Sequence, residues 1–190
     1  KSSINGEQGN SNILANELVE TLSKDSEVNM VERDLTKNEL SHLSQLEMAA
    51  WMTPPNERTE EQVTQANISD TLIEELKTSD TIVVGMPMYN FGIPSVFKAW
   101  VDRVARAGIT FSYTENGPVG LLKDKKVIIV AARGGMYAGT EKDSQSHFLK
   151  DFFAFIGLDD VSFIYAEGLN MPMREKSLAD TRLAIKAHSS

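Results

Sequence analysis

The fold is decided by one stretch of the chain, TIVVGMPMYNFGIPSVFKAW, which runs from Thr81 to Trp100. Residues 81–86 are mostly apolar and rich in β-branched side chains, which indicates a buried strand. Prolines, Met88, Tyr89, Asn90 and Phe91 follow, and helical periodicity then extends over residues 95–106. A loop at the end of a buried strand is where α/β proteins commonly bind ligands, so we expect a ligand site here.

Strands and helices alternate along the rest of the chain. We predict buried strands at residues 127–132 and 161–166, and an exposed edge strand at residues 28–35. Apolar periodicity predicts helices over residues 12–22, 60–77, 146–155 and 175–187, and a polar helix carrying His42 over residues 39–47. This order predicts an α/β fold, a doubly wound parallel sheet with helices on both faces, in one domain of residues 1–190. Such a domain normally has a buried strand before its first loop, so we expect a first strand preceding Lys1.

Composition excludes several classes of function. The chain has 190 residues, a net charge of −8 and no cysteine. An acidic surface repels nucleic acid and anionic membranes, so neither is an expected partner. The absence of cysteine excludes disulfides, zinc–thiolate sites, iron–sulfur clusters and cysteine nucleophiles. No histidine pair has the spacing of metal ligands, and no signal or membrane-spanning segment is evident, so we expect a cytoplasmic protein without a metal.

Three loops are candidates for the site. The first, residues 2–12, is rich in hydroxyls, amides and glycine and leads into a helix. The helix start and the hydroxyls of Ser3 and Ser11 would suit a phosphate, although the same residues are also typical of an ordinary helix cap.

The second and third loops suit a flat ring. In residues 87–94, Met88, Tyr89 and Phe91 offer apolar walls, while Asn90 and the backbone offer polar edges. In residues 132–137, tandem glycines allow the backbone to approach a ligand closely. Taken singly, each could be a packed loop or a plain glycine turn. Because all three would meet at the carboxyl ends of parallel strands, together they predict a site for a phosphorylated ring such as flavin mononucleotide (FMN).

Several motifs resemble those of a known family. They are KSS at residues 1–3, PMYNF at 87–91, VARAGITFSYTENGP at 104–118, RGG at 133–135, FIG at 155–157 and AEG at 166–168. With them the chain resembles the FMN-dependent NADH azoreductases of the flavodoxin-like fold over nearly its whole length.

The resemblance implies a homodimeric flavoenzyme. NADH would reduce FMN, and the reduced flavin would then pass two electrons to an azo compound or a quinone in a ping-pong cycle, without a catalytic side chain. It implies that FMN is bound by Ser3, Gly9, Asn10, Ser11, Met88, Tyr89, Asn90, Phe91, Ala132, Arg133, Gly134 and Gly135. Tyr113 and Phe155 would shape the second-substrate pocket across the dimer interface. Gly9 and Asn10 depart from a Ser-Gln pair common in relatives, and Ala132 replaces a hydroxyl residue.

Two other functions are compatible with the pattern. A flavodoxin-like electron carrier that docks partner proteins would suit the acidic surface. The long stretches 111–123 and 136–145 favour a substrate pocket instead, because loops of this length are usually functional. A non-enzymatic FMN-binding regulatory subunit is the third possibility.

Overall fold

A parallel sheet forms the centre of the protein. The computed structural model describes residues 1–24 and 27–189. Its sheet has the order β1-β4-β5, with β1 at Thr81–Pro87, β4 at Lys126–Ala132 and β5 at Asp160–Ala166. Pro87 pairs with Ala132, and Ala132 with Ala166, so the three strands end at the same level. The predicted strands at residues 81–86, 127–132 and 161–166 are confirmed.

Strand β4 is covered on both faces. Val127, Ile129 and Ala131 belong to one apolar cluster, whereas Ile128 and Val130 belong to another. This alternation follows from the two-residue period of a strand, which sends successive side chains to opposite faces. A central strand buried on both sides therefore reads in the sequence as a continuous apolar run.

Helices lie on both faces of the sheet, as predicted. The helices are α1 (Asn10–Leu22), α2 (Gln45–Met52), α3 (Glu60–Thr78), α4 (Ser95–Val104), α5 (Ser144–Phe155) and α6 (Arg174–Lys186). The cluster on one face draws residues from α3, α4 and α5, and the cluster on the other from α1 and α6. Helix α2 packs against α3. Within residues 1–24 and 27–189, no helix combines the length and apolar character that a membrane crossing requires.

Two of the predicted elements are wrong. Residues 28–35 do not form a strand. The segment is bound to Lys1 by two backbone hydrogen bonds, from Lys1 N to Arg33 O and from Leu35 N to Lys1 O, which do not make a ladder. Residues 39–44 are not helical either, because Ser44 caps α2 by accepting from the N–H of Glu47, so that the helix begins after His42.

A hairpin occupies most of the stretch that was expected to be a long loop. Strands β2 (Phe111–Thr114) and β3 (Gly117–Gly120) pair antiparallel. Gly120 lies so close to the backbone of Gly157, just after α5, that a side chain at Gly120 would overlap it. The β2–β3 hairpin and the FIG motif are thus neighbours in space, and glycine at positions 120 and 157 permits their close approach.

A buried ion pair joins α2 to α4. Arg103 donates from Nε and Nη2 to the two carboxylate oxygens of Glu47, both at 2.8 Å, and the two side chains are 1% and 2% exposed. The Nη1 atom of Arg103 donates to the backbone oxygens of Ser41 and Ala99. The guanidinium therefore secures both α2 and the irregular segment that precedes it.

Substituting Arg103→Met should lower the free energy of unfolding by about 3 kcal/mol, because Glu47 would remain buried without its cation. Urea denaturation measures the change, and the double variant with Glu47→Leu should recover part of it. Arg182→Met is the control, since its pair with Glu17 is solvent-exposed and should matter by less than about 1 kcal/mol. Equal losses in Arg103→Met and Arg182→Met would contradict this assignment.

Candidate functional site

The first two loops meet through a tyrosine hydroxyl. Tyr89 Oη accepts a hydrogen bond from the N–H of Ile4 at 3.1 Å and lies 3.4 Å from Ser3 Oγ. The start of α1 packs against β1, since a Cβ on Gly85 would lie 3.0 Å from Ser11 O. Gly85 thus permits the helix start to reach the edge of the sheet from which the loops leave.

The start of α1 has no side-chain cap. Its N-cap residue is Gly9, which has no side chain to accept from the first backbone N–H groups. Ser11 Oγ and Asn12 Oδ1 are buried there, and neither has a hydrogen-bond partner in the part of the chain that the structure describes. Unpaired N–H groups and an unpartnered hydroxyl at a helix start form a cradle for an anion, so the site fits a phosphate better than the ordinary cap interpretation.

Two of the three residues that depart from the family pattern, Gly9 and Asn10, have local explanations. A side chain at Gly9 would overlap Ser3 Oγ, so glycine makes room for the buried serine. Asn10 Oδ1 accepts from Arg174 Nη2 at 3.2 Å, which brings a guanidinium from α6 next to the helix start. The positive charge of Arg174 adds to the attraction of this corner for an anion.

The second loop contains a strained two-residue turn. Asn90 and Phe91 have φ values of 49° and 66°, and Tyr89 and Gly92 exchange both backbone hydrogen bonds around them. This is a type I′ turn, in which asparagine is common but a phenylalanine with positive φ is rare. The turn leaves the Phe91 ring at the surface, where it is 55% exposed.

A cleft of about 390 Å³ lies between the second and third loops. It is lined by Met88, Asn90, Phe91, Gly134, Gly135, Tyr137 and Asn170. The rings of Phe91 and Tyr137 meet edge to face across it, with centroids 5.7 Å apart. Tyr137 lies in the third candidate loop but was not predicted to line the site, and Asn170 was missed, although it follows the AEG motif by two residues, a signal that could have identified it.

Arg133 supports the cleft from within. Its side chain is completely buried and donates to Gln145 Oε1 at 3.2 Å, Ser146 Oγ at 2.8 Å and Glu167 Oε1 at 3.1 Å, with Asp143 Oδ1 at 2.9 Å. Its backbone N–H and carbonyl are also hydrogen-bonded. Arg133 was predicted as a cofactor contact, but this geometry gives it a supporting position behind the loop that carries Gly134 and Gly135.

The carboxyl group of Asp143 depends on this cation. Burial raises the pKa of Asp143, but the Arg133 guanidinium and the N–H and hydroxyl of Ser146 outweigh burial, so the pKa lies below its ordinary value of 3.8. Asp143 is also the N-cap of α5. Its charge therefore couples the start of α5 to the end of β4.

Tyr113 and Phe155 lie elsewhere. Both rings contact Phe111, with centroid distances of 5.4 Å and 4.3 Å. Neither residue lines the cleft. Ser144, at the start of α5, touches the second loop, whereas Phe155 ends that helix about 16 Å further along its axis. Within one chain, the two residues predicted for the second-substrate pocket are therefore separate from the predicted cofactor residues.

The comparison with known families agrees with the topology. The sequence profile described as Flavodoxin-like fold matches residues 1–189. The chain belongs to this flavodoxin-like family. The predicted fold class and the family resemblance are thereby confirmed.

Relatives of known name cover nearly the whole chain. The chain is 54% identical over 170 residues to an FMN-dependent NADH:quinone oxidoreductase of Alteromonas mediterranea, covering 90% of this chain and 85% of the relative. It is 50% identical over 189 residues to a protein of the same name from Cellvibrio japonicus, covering 98% and 94%. Among solved structures, it is similar to an azoreductase from Bacillus anthracis, with a TM-score of 0.89, 26% identity and coverage of 99% and 95%.

The histidine nearest the candidate site has a hydrogen-bond partner at the start of its own helix. His147 Nδ1 lies 2.8 Å from the carbonyl oxygen of Asp143, within the first turns of α5. Among the described residues, no group of three or more histidine, aspartate or glutamate side chains is arranged to hold a metal ion.

Substituting Asp143→Asn should lower the free energy of unfolding at neutral pH by about 2 kcal/mol, because Arg133 loses a charged acceptor while the cap is kept. The depressed pKa of Asp143 means that this stability is present above pH 3.8 and is lost as the pH falls through the lower folded-state pKa. Urea denaturation at a series of pH values should therefore show the two proteins converging in acid. Asp180→Asn, in an exposed pair with Lys176, is the control and should change little at any pH.

Proposed function

We propose that this protein is an FMN-dependent NADH:quinone oxidoreductase. The observation that carries the proposal is one juxtaposition at the edge of the sheet. An uncapped helix start with the unpartnered Ser11 hydroxyl lies next to a cleft with aromatic and glycine walls. A phosphate and a planar ring need these two neighbouring environments, and relatives about half identical to this chain are named as FMN-dependent enzymes.

The residues present fit FMN. The amides at the start of α1, with Ser3, Ser11 and the nearby Arg174, would hold the phosphate. Met88, Asn90 and Phe91 would lie along the ring on one side of the cleft, and the backbone of Gly134 and Gly135 on the other. When bound, FMN would supply the chemistry, accepting a hydride equivalent from NADH and giving up two electrons to an acceptor.

The protein's contribution is then positioning. Asn90, Gly134 and Gly135 line the cleft, so the Asn90 amide and the backbone N–H groups of the two glycines would lie near a ring edge, where they can stabilise negative charge. NADH and the acceptor would both use this one cleft, so we expect them to alternate in a ping-pong cycle, seen as parallel double-reciprocal plots. Quinones are the expected acceptors, with azo compounds a further class suggested by the azoreductase structures that the chain resembles.

A homodimer would explain Tyr113 and Phe155. Tyr113 is 75% exposed on the β2–β3 hairpin, away from the cleft of its own chain. An exposed aromatic side chain on a rigid hairpin suits an interface. We propose that the hairpin of one protomer approaches the cleft of its partner, so that the two aromatic residues complete the acceptor pocket there.

The direct test is a spectrum and an assay. The purified protein, incubated with FMN and freed of excess, should be yellow and should oxidise NADH when a naphthoquinone such as menadione is added. Activity no greater than that of free FMN would contradict the proposal. A protein that binds FMN but does not turn over with NADH and any quinone would instead favour the electron carrier or the regulatory subunit.

The phosphate corner is tested by Ser11→Ala. Removing the buried hydroxyl should weaken FMN binding by about tenfold, because a hydrogen bond to a charged phosphate is lost. Fluorescence titration of the apo-protein with FMN measures the dissociation constant. Ser23→Ala, at the other end of the same helix, removes a hydroxyl that donates to Val19 O and should leave FMN binding unchanged. Unchanged affinity for FMN in both variants would contradict the assignment of the phosphate to the start of α1.

The hairpin is tested by Tyr113→Ala. We expect kcat/KM for the quinone to fall by about tenfold or more while the FMN dissociation constant stays constant, since the residue would touch the acceptor and not the cofactor. Light scattering should show a dimer for both proteins. A monomeric wild-type protein, or unchanged quinone kinetics in the variant, would contradict the shared pocket.

A further inference from the structure

The first turn of α5 holds the strained turn of the second loop. Ser144 Oγ donates to the carbonyl oxygen of Phe91 at 2.6 Å. Gln145 Nε2 donates to the carbonyl oxygens of Pro87 at 2.8 Å and of Gly92 at 2.9 Å. Two neighbouring side chains thus bind three carbonyl groups of one six-residue segment, residues 87–92.

The orientation of the Gln145 amide is determined by Arg133. A guanidinium can only donate, so the atom of Gln145 that faces Arg133 Nε, 3.2 Å away, must be the oxygen. The NH₂ group then necessarily faces the loop, where both of its hydrogens are used. Gln145 is 1% exposed, so bulk solvent does not reach these groups and their partners must come from within the protein.

The loop needs such support because its turn is strained. Asn90 and Phe91 both have positive φ, a conformation that residues other than glycine adopt at a cost. The bond from Ser144 reaches Phe91 itself, and the bonds from Gln145 fasten the residues at both ends of the segment. Without them, Phe91 could relax toward negative φ, and the wall that it forms in the cleft would move.

We propose that Ser144 and Gln145 are positioning residues that preorganise the ring-binding loop before the cofactor arrives. This inference rests on the proposed function, because it takes the cleft to be the FMN ring site. Neither side chain lines the cleft. Both act through the backbone of residues 87–92. The loop is therefore ordered when the protein folds, and cofactor binding does not lose free energy by ordering it.

The test uses two variants, each with a matched control. Ser144→Ala removes an exposed hydroxyl, and Ser79→Ala removes one that donates at the same distance of 2.6 Å to a carbonyl oxygen on α3. Gln145→Glu keeps the shape and the acceptor for Arg133 but cannot donate to two carbonyls as a carboxylate. Gln62→Glu is its control, in the first turn of α3.

We expect the FMN dissociation constant to rise about threefold in Ser144→Ala and about tenfold or more in Gln145→Glu, with the flavin absorption bands shifted toward those of free FMN. Both controls should bind FMN like the wild type. Full affinity and an unchanged flavin spectrum in both variants would overturn the proposal.

Hydrogen exchange of the apo-protein separates this inference from the proposed function. The amides of Tyr89 and Gly92 are bonded within the turn, so their exchange reports its opening. We expect about tenfold faster exchange at both amides in Ser144→Ala, without FMN and without change at the controls. If wild-type protein fails to bind FMN, the proposed function fails while this measurement still decides whether α5 holds the turn. If Gln145→Glu does not fold, Ser144→Ala decides alone, and unchanged exchange in it overturns the proposal.

Discussion

The buried guanidinium of Arg133 is the contact on which the shape of the cleft depends. It stands at the end of β4 and is hydrogen-bonded or ion-paired to Asp143 and Gln145 at the start of α5 and to Glu167 after β5. A buried cation that loses its partners is costly, so all of these segments must be in place together. One side chain therefore ties two strand ends and a helix start into a single rigid edge.

This cation acts on both walls of the cleft through intermediaries. Glu167 Oε1, held by Arg133, accepts from the N–H groups of Tyr137 and Ala138 and so fixes the third loop. Gln145, oriented by the same guanidinium, fixes the second loop. A cleft that positions a planar ligand must keep a constant shape, which this network provides.

The sequence predicted the parallel sheet well because its signal is local. The strands at residues 81–86, 127–132 and 161–166 are apolar and β-branched, and a strand buried on both faces needs no partner to be recognised. The strand predicted at residues 28–35 is wrong because this segment forms no ladder with another strand in the described part of the chain, and its two backbone hydrogen bonds to Lys1 are isolated. The helix predicted at residues 39–47 is wrong over residues 39–44, because the capping box at Ser44 and Glu47 starts α2 at Gln45.

By itself, the sequence determined the class of fold, the edge of the sheet at which the loops meet, and most of the residues that surround the cleft. Periodicity and loop composition are sufficient for this, because they depend on neighbours a few positions away. Only the tertiary structure decided that Arg133 lies behind the cleft, that Tyr137 and Asn170 line it, and that Gln145 holds its loop. Those roles depend on contacts between distant segments, such as the hydrogen bond between Gln145 and Pro87, 58 positions apart, and no local pattern records which segments will meet.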